Sequence, residues 1–216
     1  MPHEVKRIER KMLFNQPHLI MAEQFESILE YLDSRPDGMM TKEELAIARD
    51  LRERNKRERN LGEGDVAIIR VEGSLTYEET LFSALCGMSS YQGILTQMRE
   101  AVQEGYKVVV LDVNSGGGQA YGCFSTAKEL RNLALENDIK LIAYVDGISA
   151  SAAYGLSVAA DEIIINPYAE VGSIGVLTRL VNDNEKKKKE GITTTYITAG
   201  KEKIPFDADG EWREGF

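Results

Sequence analysis

A chain of 216 residues, 43% apolar and 28% charged, is long enough to bury a core and reads as one domain or one domain with an appendage. Its 26 basic and 35 acidic side chains, net −9, argue against a nucleic-acid surface covering the whole chain. No run approaches the roughly 18–20 uncharged apolar residues of a membrane span, and the N-terminus lacks the apolar stretch of a secretory signal, so a non-exported soluble protein is expected. Cys86 and Cys123 make no spaced framework, and reduced thiols are the expected state. The two histidines, His3 and His18, both lie near the N-terminus, which argues against a His-based triad or a zinc site in the main body.

Charge divides the chain. Residues 1–60 balance 12 basic against 12 acidic side chains, whereas residues 61–216 carry 14 and 23. This predicts an N-terminal helical segment over 1–60, suited to interaction or assembly, and a main domain over 61–216. In the first part, Phe25, Ile28, Leu29 and Leu32 repeat at i, i+3, i+4, i+7, predicting an amphipathic helix that Pro36-Asp37-Gly38 ends. Thr41 and Glu44 form a capping box for a second helix to about Asn60, whose end is almost entirely polar and reads as a solvated face.

From Val66 onward short β runs alternate with helices. Strands are predicted over 66–71, 107–113, 140–145, 162–165 and 193–197. Helices are predicted over 91–104, 121–137, 149–160 and about 177–190, the last ending in a lysine run that complements the helix dipole. Continuous Val/Ile runs in a β-α-β repeat predict an α/β fold with a mainly parallel sheet covered on both faces.

Ligands of such sheets sit beyond the carboxyl ends of the strands. Two turns there could carry chemistry. Asn114-Ser115-Gly116-Gly117-Gly118-Gln119 can bring backbone N–H groups to one point, as an anion or oxyanion site needs; a plain tight turn explains it equally well. Asp146-Gly147-Ile148-Ser149-Ala150-Ser151-Ala152-Ala153-Tyr154 places serines at the start of a small-residue helix, as a nucleophile or simply as N-caps. A third stretch, Gly172-Ser173-Ile174-Gly175, reads as a bend over the sheet edge. With no histidine nearby in sequence, the base for a serine nucleophile would be a lysine whose burial leaves a neutral amine. Thr198-Ala199-Gly200-Lys201-Glu202-Lys203 offers two.

Taken together and in order, these motifs resemble the signal peptide peptidase A family of serine peptidases, which shares the Clp-protease/crotonase-like fold. They are most similar to its phage prohead (capsid maturation) protease branch. The resemblance rests on Ile69-Arg70-Val71-Glu72-Gly73, Gly87-Met88-Ser89-Ser90-Tyr91, Asn114-Ser115-Gly116-Gly117-Gly118, Ser151-Ala152-Ala153-Tyr154, Asn166-Pro167 with Gly172-Ser173-Ile174-Gly175-Val176, and Gly200-Lys201-Glu202-Lys203. Residues 13–35 also resemble that branch's N-terminal segment. Two positions depart from the pattern: Gly116 stands where proline is usual and Ala153 where glycine is frequent.

The resemblance implies Ser151 as nucleophile and Lys203 as general base, 52 positions apart, with Lys201 as the alternative. It implies the N–H groups of Gly118 and Ala152 as oxyanion hole, and Gly116 and Gly117 as substrate-binding backbone. No metal or cofactor is called for. Scaffold and capsid proteins are the implied substrates and a homo-oligomer the implied assembly, in the host cytoplasm inside the assembling prohead, without nucleic acid or membrane as partner. A cytosolic signal-peptide-peptidase-like protease of bacteria and a non-catalytic capsid- or scaffold-binding relative are the rivals. A crotonase-type acyl-CoA enzyme would not need Ser151 with Lys203. Family members continue past the point where this chain stops at Phe216, so a domain cut short at its C-terminus is expected, with Trp212 and Phe216 left on one helix face.

Overall fold

The computed structural model describes residues 18–21, 64–80, 86–178 and 184–192, with single positions at 43, 46, 47, 49, 50, 83 and 182. The chain divides into two compact units, Met1–Thr178 and Arg179–Phe216. In the first unit the elements run β1 (His18–Ile20), β2 (Val66–Thr76), β3 (Ser89–Ser90), α1 (Tyr91–Glu104), β4 (Val108–Gln119), α2 (Cys123–Glu136), β5 (Lys140–Ala150), α3 (Ala152–Ser157), β6 (Glu162–Ile165) and β7 (Glu170–Gly172). The second holds α4 (Asn184–Lys189). The predicted helix over 22–32 and the predicted strand over 193–197 lie outside the described residues. Positions 43, 46, 47, 49 and 50 are helical.

One sheet of order β3-β2-β4-β5-β6 organises the first unit, with β7 beside the far end of β5 and β1 beside the far end of β4. Every pairing is parallel except β1 with β4. This is the α/β class with a mainly parallel sheet that the β-α-β repeat predicts.

Register explains the core. Ala67, Val109 and Leu141 pair in one row, Ile69, Leu111 and Ala143 in the next, and Val71, Val113 and Val145 in a third. All nine are buried. Because side chains alternate across a strand, these rows share one face, and α1, α2 and α3 pack there. Tyr91, Ile94 and Met98 of α1, Cys123 and Leu130 of α2, and Ala152, Ala153 and Leu156 of α3 complete the cluster. Each fully buried large aliphatic side chain contributes roughly 1.5–3 kcal/mol.

The second face of the sheet differs in composition from the first. Among the described residues the opposite rows, Ile68 with Val110 and Ile142, then Arg70 with Asp112, Tyr144 and Ile164, are exposed or half-buried. Polar residues interleave with apolar ones there, so this face alternates as a half-covered sheet does.

Helix ends follow sequence chemistry. Ser90 caps α1, its Oγ accepting the Gly93 N–H at 3.0 Å. Gly105 closes it in the left-handed region at φ 81, its N–H directed to the carbonyls of Ala101 and Val102, as a glycine C-cap does. An ion pair joins the layers: Asp161 accepts from Arg131 of α2 and from the Leu141 N–H of β5 at 2.9 Å. These interactions hold the Asp161 carboxyl below its usual range.

Several boundaries differ from expectation: the first strand of the main domain runs on to Thr76, the helix expected from about 177 begins at Asn184 with Leu177 in a β-bridge, and three further differences matter for the site. The strands predicted to end at 113 and 145 continue to Gln119 and Ala150. The helix predicted to begin at Ser149 begins at Ala152. In both strands a register shift, between Val113 and Ser115 along the β4–β5 pairing, lets pairing resume beyond residues of low strand propensity.

Candidate active site

The two motif-bearing stretches lie side by side as strand extensions. Ser115 pairs with Ser149 across β4 and β5, which places the Gly116–Gly118 run level with the Ser151 turn. Asn114 and Ser115 tie the extensions down. The Asn114 Oδ1 accepts the Ile148 N–H at 3.3 Å, and the Ser115 hydroxyl donates to the Gly73 carbonyl at 2.5 Å while accepting the Gly117 N–H at 3.2 Å.

Ser151 occupies the single residue between β5 and α3. Its backbone sits at φ 55, ψ −114, outside even the left-handed helical region, a conformation that costs a non-glycine residue about 1–3 kcal/mol. Three bonds impose it: the Ser151 N–H donates to the Gly172 carbonyl at 2.8 Å, its own carbonyl accepts the Gly155 N–H at 2.9 Å, and its Oγ donates to the Gly175 carbonyl at 3.4 Å. A sharp strand-to-helix turn with a strained serine at its apex is the arrangement that presents a nucleophile. Ser149 differs. It is fully buried, and its Oγ lies 2.9 Å from the Ser157 Oγ, which makes it a packing serine.

Gly118 is a glycine for a steric reason: a Cβ there would stand 2.0 Å from the Leu75 carbonyl oxygen. Gly117 adopts φ 99. The glycine run expected to form a turn is therefore strand, paired with β2 on one side and with β1 on the other. Ala152 opens α3 fully buried, and its carbonyl accepts from the Cys123 Sγ at 3.4 Å. The Tyr91 hydroxyl donates to the Gln119 carbonyl at 2.6 Å. Burial, ahead of the neighbouring Cys123, pushes the Tyr91 phenol well above its ordinary range, and burial pushes the Cys123 thiol up to about 11. Both groups are neutral near pH 7 and act as a dry strut between the end of β4 and the start of α3.

Lys203 and Lys201 lie outside the described residues. Gly116, Gly117, Gly118, Ser151 and Ala152 are brought together. His18, set aside at the sequence level as remote, is 2% exposed and paired with Gln119 and with Leu177. Its place beside the glycine run had no local signal, because three residues of strand far from the sheet in sequence carry no periodicity. Gly172 and Gly175 accept from Ser151, so the third glycine stretch borders the site as well as bending the chain. Among the described residues, no group of three or more His, Cys, Asp or Glu could hold a metal ion, and no helix is long and apolar enough to cross a membrane.

Residues 134–214 match peptidase family S49. A putative protease of Methanocaldococcus jannaschii is 40% identical over 97 residues, 45% of this chain and 30% of that protein. The capsid assembly protease C of Escherichia phage lambda is 28% identical over 141 residues, 64% of this chain and 31% of that protein. A sodium/proton antiporter NhaA of Brucella abortus is 30% identical over 145 residues, 67% of this chain but 19% of that protein, so the likeness is confined to a small part of it. The chain spans about a fifth to a third of the length of these relatives. Among solved structures, a membrane-bound stomatin-specific protease aligns over 60% of each chain at 13% identity and a TM-score of 0.40.

Proposed function

We propose that this chain, whose residues 134–214 match peptidase family S49, is a serine endopeptidase working through a Ser-Lys dyad. Ser151 is the nucleophile and Lys203 the general base. In acylation the lysine amine takes the Ser151 proton as Oγ attacks the substrate carbonyl, then passes it to the leaving amine. The Gly118 and Ala152 N–H groups carry the developing oxyanion, and water hydrolyses the acyl-enzyme. This chemistry calls on neither metal nor cofactor. The observation that carries the reading is the strained backbone of Ser151 at the apex of the β5–α3 turn, beside glycine backbone level with it.

The substrates proposed are scaffold and capsid proteins of an assembling phage head, cleaved by a homo-oligomer inside the prohead. Support comes from the length of the likeness to the lambda capsid assembly protease, 141 residues, and from that to the head-tail preconnector protein of Enterobacteria phage P21, 28% identical over 140 residues. A second reading, a bacterial protease outside phage assembly, draws on a probable protease SohB of Buchnera aphidicola, 41% identical over a shorter stretch of 92 residues. Co-expression with a phage scaffold protein separates the two: the first reading expects scaffold fragments that vanish with Ser151→Ala, the second an intact scaffold alongside Ser151-dependent cleavage of an unstructured peptide.

A further inference from the structure

The strand β1 lies in an unusual place for an N-terminal segment. It is not an edge strand: on one side it pairs antiparallel with Gly117, Gly118 and Gln119, and on the other His18 exchanges both backbone bonds with Leu177, at 2.8 and 2.9 Å. It thus fills a slot between the two backbone stretches that border Ser151.

The hydrogen-bond phase shows which peptide bond faces what. Successive residues of a strand turn their N–H and C=O groups to opposite sides. His18 spends both on Leu177, and Met21 donates its N–H to the Gly116 carbonyl at 3.1 Å on the other side. The residue between them of the same parity as Met21 is Leu19, which stands opposite Gly118. Its carbonyl is therefore the one directed toward the Gly118 N–H. Ile20 stands opposite Gly117, and the bridge of His18 with Leu177 sets β1 beside the stretch whose Gly175 carbonyl accepts from the Ser151 Oγ. The bond between Leu19 and Ile20 thus faces the candidate oxyanion amide of Gly118.

We propose that residues 18–21 occupy this slot as an internal stand-in for substrate, so that the chain holds its own peptide-binding strip closed. The strip takes an extended apolar peptide as an added antiparallel strand, recognised through main-chain bonds to Gly116, Gly118 and Leu177. Its outer rim carries Ile174 and Val176, 84% and 60% exposed, which would receive apolar side chains. Buried Ile20, 5% exposed, anchors the present occupant. An incoming peptide has to displace β1, and any partner that withdraws residues 18–21 opens the site. This rests on the proposed peptidase reading for its consequence, but the occupancy itself can be measured without catalysis.

The probe is a fluorescent peptide of residues 15–23, added in trans to the full chain and to its Met21→Pro variant, which lacks the N–H given to Gly116. Anisotropy should show the variant binding the peptide about tenfold more tightly than the full chain, the change expected from losing one main-chain bond and a strand conformation. The same variant should lower KM for an apolar peptide by about the same factor with kcat unchanged. Should Met21→Pro fail to fold, Ile20→Asp tests the point through the side chain alone, with the same expected gain. Equal peptide affinity in full chain and folded variant, or binding by neither, overturns the inference even where Ser151 proves reactive. Tighter binding by the variant with no reactivity at Ser151 leaves the inference standing and rejects the peptidase reading.

Discussion

The Cys123 Sγ lies 3.4 Å from the carbonyl oxygen of Ala152, so a thiol on α2 holds the first residue of the helix that follows the candidate nucleophile. Burial pushes that thiol from an ordinary 9.0 up to about 11. A folded-state value raised above the unfolded one contributes stability that is complete below the unfolded value and lost as pH rises through the folded one. Unfolding titrations should therefore show stability falling from about pH 9, whereas in Cys123→Ser the fall should begin only near pH 10, where the likewise raised Tyr91 phenol takes over. In the native protein at pH 8, iodoacetamide should modify exposed Cys86 and spare Cys123; equal rates at both thiols would contradict the buried strut.

Strain at Ser151 gives a stability signature of its own. Glycine adopts φ 55, ψ −114 without the steric cost borne by a side chain. Ser151→Gly should raise stability by about 1 kcal/mol, whereas Ser151→Ala, which keeps the Cβ, should leave it nearly unchanged. Denaturant midpoints of the two variants check this, and a Ser151→Gly protein less stable than Ser151→Ala would show that the turn is unstrained.

Gly118 and Gly175 border the same site but differ in room. A Cβ at Gly118 meets the Leu75 backbone, whereas one at Gly175 meets nothing within 4 Å. Gly118→Ala should destabilise by about 3 kcal/mol or more, since strand must separate from strand; Gly175→Ala should stay within about 0.5 kcal/mol. Thermal melts that rank them the other way would refute the close approach of β4 to β2.

Much of the fold was legible because continuous Val/Ile runs alternate with helical stretches from Val66 onward. The order of strands and helices along the chain follows from that alternation, whereas the convergence of Gly118 with Ser151 was implied by the family resemblance. What escaped was set by tertiary context. Asn114 to Gln119 and Asp146 to Ala150 have poor strand propensity, yet they extend β4 and β5 because Ser115, Asn114 and the neighbouring strands supply partners. The second face of the same strands is interleaved with Arg70, Asp112 and Tyr144. His18 looked remote because distance along the chain says nothing about a strand that inserts beside β4.

The lysine assignment separates by charge and by proton. Arginine keeps the charge of lysine but does not deprotonate near neutral pH. Lys203→Arg should lower kcat/KM for peptide cleavage by at least about a thousandfold, and Lys201→Ala by less than about threefold. Retained turnover in Lys203→Arg would remove Lys203 from the mechanism, and loss in Lys201→Ala would transfer the role to Lys201.

The central claim is that Ser151 is a nucleophile. Incubating the full chain and its Met21→Pro variant with a small fluorophosphonate, then mapping the phosphonylated residue by mass spectrometry, tests it most directly. One adduct is expected, on Ser151, forming faster in the variant, and none after Ser151→Ala. An adduct on Ser149, or no adduct on either protein under conditions that label a known serine peptidase, would contradict it.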